Sequence, residues 1–175
     1  IDIWEKTGTS NAFTYTTPAG AKSLLIYMTA GGGGGGSGSN DFNAGGGGGG
    51  GGTGIKLIVD PAASYHFNPG SGGSGASHSP NSPGSGSTGG DSRLYEGTNT
   101  SGTLVMDVPG GSGGYKADGG QNPGLGGQCP EYNSGDWGGC DLQISGGGGG
   151  PSGGGYNTDN AQSGGHGGGT WWMGL

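Results

Sequence analysis

The sequence predicts a mostly irregular and β fold, in which short β-strands lead into a packed bundle of polyglycine II helices, with no α-helix. Three observations carry that reading. Of 175 residues, 54 are glycine. The glycines stand in blocks, at 31–36, 45–52, 146–150, 153–155 and 167–169. Several blocks join directly to short apolar segments of strand character. Glycine loses more backbone freedom on ordering than any other residue and has no side chain to bury. A block of it is therefore either flexible linker or a segment that exploits close backbone approach. Polyglycine in the polyproline II conformation has no internal hydrogen bonds, so such helices can lie side by side and bond backbone to backbone. The eight residues 45–52 would span about 25 Å in that form. Regular punctuation by apolar strands favours the packed alternative over the linker.

The elements follow in order. Residues 1–10 read as the end of an upstream shaft or linker, and 11–175 as a single glycine-rich tip domain. Phe13-Thr-Tyr-Thr-Thr17 alternates, with Phe13 and Tyr15 on one face, and predicts a strand. Pro18-Ala-Gly20 predicts a turn. Ser23 to Ala30 is the strongest strand; Leu24, Ile26 and Met28 share one face, Leu25 and Tyr27 the other. Apolar residues on both faces predict a buried central strand. It runs into Gly31. Ser37 to Ala44 is a polar interruption carrying Phe42. After Gly52, Ile55, Leu57 and Val59 alternate in a further strand, and Asp60-Pro61 turns. Tyr65-His-Phe67 is a short strand. Residues 70–90 are Ser, Gly and Pro, either loop or further extended helix. Leu94-Tyr95 and Leu104 to Val108 predict a hairpin around Gly97 to Gly102. Leu142-Gln-Ile144 is a last strand fragment entering Gly146.

Composition narrows the function. Hydrophobic residues make up 26% of the chain and charged residues 10%, well below an ordinary globular core. The net charge of −7 argues against a nucleic-acid partner, which requires a basic face. No window has the length of a membrane-spanning helix, so membrane insertion is not expected. The chain starts at Ile1 with no signal peptide and reads as a piece or processed product of something longer. Cys129 and Cys140 are the two cysteines. A disulfide between them is favoured over two buried thiols, and would stabilise by roughly 2–3 kcal/mol on loop entropy.

No catalytic constellation emerges, and the chain is read as a non-enzyme without cofactor or metal. Gly-x-Gly-x-x-Gly strings occur trivially and no helix follows them, as a dinucleotide site demands. Gly110-Gly-Ser112-Gly-Gly114 matches a nucleophile elbow only as a string, without the strand-to-helix turn or a histidine base. Trp171 and Trp172, beside glycines, read as packing plugs. The remaining aromatics, Phe42, Tyr115, Tyr132, Trp137 and Tyr156, sit in polar interruptions with no strand periodicity. Rigid rings among Asn, Ser and Gly suit a recognition surface, and these five are the candidate receptor-binding residues. The alternative is that they cover glycine backbone.

The stretch Phe13-Thr-Tyr-Thr-Thr-Pro-Ala-Gly-Ala-Lys-Ser-Leu-Leu-Ile-Tyr-Met-Thr-Ala followed by Gly31 to Gly36 resembles the glycine-rich domain at the ends of bacteriophage tail fibres and tail-tip proteins. Residues 51–67 are similar to that family's second hairpin, 88–114 to its third, and 142–155 to its return into glycines. The segment 129–140 and the Trp-Trp-Met end depart from the pattern. The resemblance implies an adhesin at the tip of a virion's tail that binds a bacterial cell-surface receptor, as a homotrimer or as the cap of a trimeric fibre, with polyglycine helices as scaffold and variable loops as recognition surface. Two other readings compete, an ice-binding protein of packed polyglycine helices and a structural glycine-rich protein. The irregular blocks count against the first, and the strand at Leu24 to Met28 against the second.

Overall fold

A computed structural model of the chain describes residues 12–38, 45–77, 82–116 and 139–144. The described residues contain seven strands and no helix: β1 (Phe13–Thr16), β2 (Ser23–Thr29), β3 (Thr53–Val59), β4 (Ser64–Asn68), β5 (Ser92–Glu96), β6 (Leu104–Val108) and β7 (Leu142–Ile144). They form two antiparallel sheets, one in the order β1-β4-β5-β6 and one in the order β2-β3-β7. The turn after β1 closes with the Ala21 amide donating to the Pro18 carbonyl at 3.1 Å. Gly20 takes φ +84° there, the third turn position that demands a residue without a β-carbon.

Alternation along the strands sends one face of each sheet into a shared core. Leu94, Met106 and Val108 of the larger sheet meet Ile26, Met28 and Ala30 from the smaller, with Tyr65 beside them. Phe13 and Phe67 stack across β1 and β4 with ring centroids 4.8 Å apart. Gly54 provides the close approach between the sheets. A β-carbon there would lie 2.6 Å from both the Cys140 sulfur and the Met106 methyl.

Two expectations are corrected. β2 is an edge strand, not a central one, because it pairs only with β3. Its second apolar face is turned outward, with Leu25 57% and Tyr27 46% exposed. Residues 51–67 are not a hairpin either. β3 and β4 follow one another through a turn at Asp60, which adopts φ +49°, but the chain crosses there from one sheet to the other. The hairpin of β5 and β6 is as expected, with a register shift at Leu94/Tyr95.

Each strand from β2 to β6 has a glycine run at one end. β2 leads into 31–38, 45–52 leads into β3, β4 leads into 70–77, 82–91 leads into β5 and β6 leads into 109–116. The five runs are bonded to one another, backbone to backbone. The amides of Gly31, Gly34 and Ser37 donate to the carbonyls of Gly90, Ser87 and Gly84 at 3.1, 2.9 and 2.9 Å. Gly33 and Gly36 donate to Gly49 and Gly46. Gly73 and Ala76 donate to the Gly32 and Gly35 carbonyls, and Gly111 and Gly114 to those of Gly31 and Gly34. Run 31–38 thus touches all four others. Gly46, Gly49 and Gly52 donate to Tyr115, Ser112 and Pro109, while Gly86 and Gly89 donate to Gly114 and Gly111. Every series advances by three residues, where a strand would advance by two.

The requirement for glycine follows from the same geometry. A β-carbon at Gly31 or Gly34 would overlap the carbonyl of Ser71 or Ser74, and at Gly33 or Gly48 the carbonyl of Ser112 or Gly33. Gly72 is different, since its nearest neighbour would be the Gly32 oxygen at 3.9 Å. Residues 45–52 are buried throughout, so the second core of the molecule is made of peptide groups.

Candidate functional site

The glycine block has two unlike ends. At the strand end, side chains bind runs to sheets. The buried Ser92 hydroxyl donates to the Thr29 carbonyl at 2.9 Å and accepts from the Gly70 amide at 2.9 Å. Asp91 accepts from the Gly110 amide at 3.1 Å and pairs with Arg93 at 2.8 Å. Arg93 also reaches Asp107 at 3.0 Å, and the hydrogen bond to that carboxylate, with its charge, raises the Arg93 pKa further. The second Asp107 oxygen, Oδ1, is buried and has no hydrogen-bond partner among the described residues. Beside this cluster the Cys140 sulfur lies 3.8 Å from the Asp107 carbonyl. Burial pushes the Cys140 thiol up, against the opposing pull of Lys56.

At the opposite end the runs meet without strands. Ser37 is the fastening point. Its hydroxyl accepts from the Gly84 amide at 2.8 Å, and its own amide donates to the Gly84 carbonyl at 2.9 Å. Tyr115 holds the last backbone-to-backbone bond of its run, with its carbonyl accepting from Gly46 at 2.9 Å, and the residue is 54% exposed. The Lys116 amide then donates to the Ser85 hydroxyl at 3.1 Å. Gly36 also donates to Gly46 and Ala76 to Gly35, so residues of all five runs are joined at this end.

The glycine-rich domain family matches residues 7–174, so the family's pattern spans both sheets and all five runs. The chain belongs to that family. No curated protein and no solved structure matches it.

Of the five aromatic residues singled out in this glycine-rich domain, Tyr115 is the one the structure places, exposed at the strand-free end. Phe42, Tyr132, Trp137 and Tyr156 lie outside the described residues, as does Cys129, so the Cys129–Cys140 pairing lies there too. Among the described residues no group of three His, Cys, Asp or Glu side chains could hold a metal ion, and no helix is long and apolar enough to cross a membrane. The sequence reading missed Ser37, Ser85 and Ser92. A serine in a Ser- and Gly-rich stretch carries no signal of its own; for Ser37 the one clue is its position as the first side chain after a six-glycine block.

Proposed function

We propose that this glycine-rich domain is a non-enzymatic adhesin of a bacteriophage tail fibre or tail tip, binding a receptor on the bacterial surface. In this reading its five glycine runs are polyglycine II helices that serve as a rigid scaffold. The three-residue step of the hydrogen bonds supports the helical reading, because a threefold helix turns the same phase toward the same neighbour at every third residue. The functional reading rests on one observation above all, that the five runs are bonded together at an end of the block away from the strands, next to where the sequence interrupts them. A scaffold held by backbone bonds accepts any sequence in the stretches between its helices, and recognition commonly lives on such loops over a rigid frame. Tyr115 stands at that end, and Phe42 falls in the sequence between runs 31–38 and 45–52. Tyr132 and Trp137 follow run 109–116 in the sequence. Rings of this kind buried in a receptor pocket contribute about 2 kcal/mol or more each.

The test is competition. Purified domain is added to host cells before phage, and adsorption is measured. Adsorption should fall with the parent protein, and the block should weaken with Tyr115→Ala, Phe42→Ala or Trp137→Ala at unchanged melting temperature. Full blocking by a folded variant with all three replaced would put recognition elsewhere on the domain. Absence of any blocking, together with thermal hysteresis in freezing assays, would favour the ice-binding reading.

A further inference from the structure

β3 has a neighbour on each edge, and one edge shows what lies beyond the strands. Thr29 of β2 pairs with Thr53. Past that pair, the chain leaving β2 stays beside the run that enters β3. Ala30, Gly33 and Gly36 donate to the carbonyls of Gly52, Gly49 and Gly46 at 2.9, 2.8 and 2.8 Å. The strand register thus passes into the glycine block unbroken, and only the step changes, from two residues to three. A strand turns alternate residues toward a given neighbour and a threefold helix every third. The junction therefore sets the phase for the whole run.

The other edge of β3 begins in the same way. β7 runs antiparallel to it, with Leu142 opposite Ile55 and Ile144 opposite Thr53. The Asp141 amide donates to the Ile55 carbonyl at 2.9 Å, so the peptide groups of Ile55, and of Thr53 two residues before it, face β7. Three and six residues before Thr53 stand Gly50 and Gly47. Both are buried, yet every backbone bond that run 45–52 makes among the described residues uses Gly46, Gly49 or Gly52. The described chain ends at Ile144, beside this flank, and the sequence goes on through Ser145 to Gly146–Gly150. On the first edge one residue, Ala30, likewise separates the strand from its glycines.

We propose that the flank of run 45–52 marked by Gly47 and Gly50 is the docking groove of residues 146–150 of the same chain, laid antiparallel to it as a sixth run. Extending the Thr53–Ile144 register in steps of three sets Gly147 opposite Gly50 and Gly150 opposite Gly47. Attachment favours this occupant, because a segment joined to β7 through one residue reaches the groove with almost no loop to close. Chemistry favours it too. Buried peptide groups need hydrogen-bond partners, and glycines bring a backbone within reach with no side chain to hold it off. Pro151 then falls opposite Gly46. It has no amide to donate, and Gly46 needs none, since its amide and carbonyl are already bonded to Tyr115 and Gly36. The proposal rests on the strand register and the three-residue step, not on the adhesin reading, so the adsorption test does not bear on it.

The experiment is NMR on the isotope-labelled full chain under reducing conditions, reading nuclear Overhauser contacts between glycine α-protons. Contacts are expected for Gly50 with Gly147 and for Gly47 with Gly150. Contacts of Gly47 and Gly50 with residues 153–155 or 167–169, with a second molecule, with residues 146–150 in another register, or with no further segment overturn the proposal. Gly147→Val should also lower the melting temperature by about 5 °C or more, as overpacking a buried contact does, and speed amide exchange in run 45–52. A melting temperature equal to the parent's overturns the proposal as well. If Gly147→Val does not fold, the contacts in the parent protein decide.

Discussion

The hydroxyl of Ser92 donates to the carbonyl of Thr29 at 2.9 Å, and the two residues belong to different sheets. Ser92 is 1% exposed, and the same oxygen accepts from the Gly70 amide. One side chain therefore joins β5, the end of β2 and the start of run 70–77. Ser92→Ala leaves both backbone groups short of a partner in a buried site, a loss that costs about 1–3 kcal/mol. Urea denaturation should show that destabilisation with an unchanged slope. A midpoint equal to that of the parent would mean that water or a shift of the backbone replaces the hydroxyl.

Position decides how the block responds to a methyl group. Gly48→Ala places a β-carbon on the Gly33 carbonyl, while Gly72→Ala meets its nearest atom at 3.9 Å. The first should lower stability by about 1–3 kcal/mol and Gly48→Val by more; the second should be close to neutral. Thermal melts of the three variants provide the comparison. Equal melting temperatures for Gly48→Ala and Gly72→Ala would contradict close packing of run 45–52 against run 31–38.

Amide hydrogen exchange reads the runs directly. Gly34, Gly46, Gly49 and Gly52 donate to other runs at 2.8–3.0 Å, so their amides should exchange slowly, at rates governed by opening of the block. Exchange of these four amides at random-coil rates would leave only the flexible-linker reading of the glycines.

Cys140 gives a pH dependence of definite sign. Its thiol is pushed above the ordinary value of 9.0, chiefly by burial. In the unfolded chain the thiol ionises at its ordinary pKa, while in the fold it resists. Its contribution to stability is therefore complete below pH 9 and is lost as the pH rises through and beyond that value. Under reducing conditions, the stability difference between parent and Cys140→Ala should shrink between pH 8 and pH 10. The same difference holding constant across that range, in protein shown by thiol titration to be reduced, would rule out a buried thiol at this position.

Much of the strand content was legible in the sequence, because the β-period is short and local. Phe13 to Thr16, Leu104 to Val108 and even the three residues of β7 show it. Which strands pair was less legible. Leu25 and Tyr27 made β2 look buried on both faces, since apolar residues signal a covered surface without saying whether the cover is another layer or another molecule. The Asp60 turn looked like that of a hairpin because sequence records that the chain turns, not whether it turns within one sheet or crosses to another. The bonding among the glycine runs was readable only as a possibility of the residue type, for glycines with no side chains leave no periodicity to mark which phase faces which neighbour. Tyr115 stands out in the sequence as an aromatic ring in a polar setting; Ser37 and Ser92 do not, because their work is done by one hydroxyl among many.

The arrangement of run 31–38 among four neighbours has a mechanical consequence. On the proposed reading of the runs as polyglycine II helices, which have no hydrogen bonds along their own length, the bonds between runs lie across the long axis of the block. Tension applied between the sheets and the opposite end pulls along that axis and loads these bonds in shear, many at once, instead of peeling them one by one. Rupture then requires a run to slide past its neighbours by a whole register, and the step of three makes that slip about 9 Å. Such a block yields late and abruptly under a pull along its length, and far more easily under a sideways one that separates run 70–77 or run 45–52 from the rest.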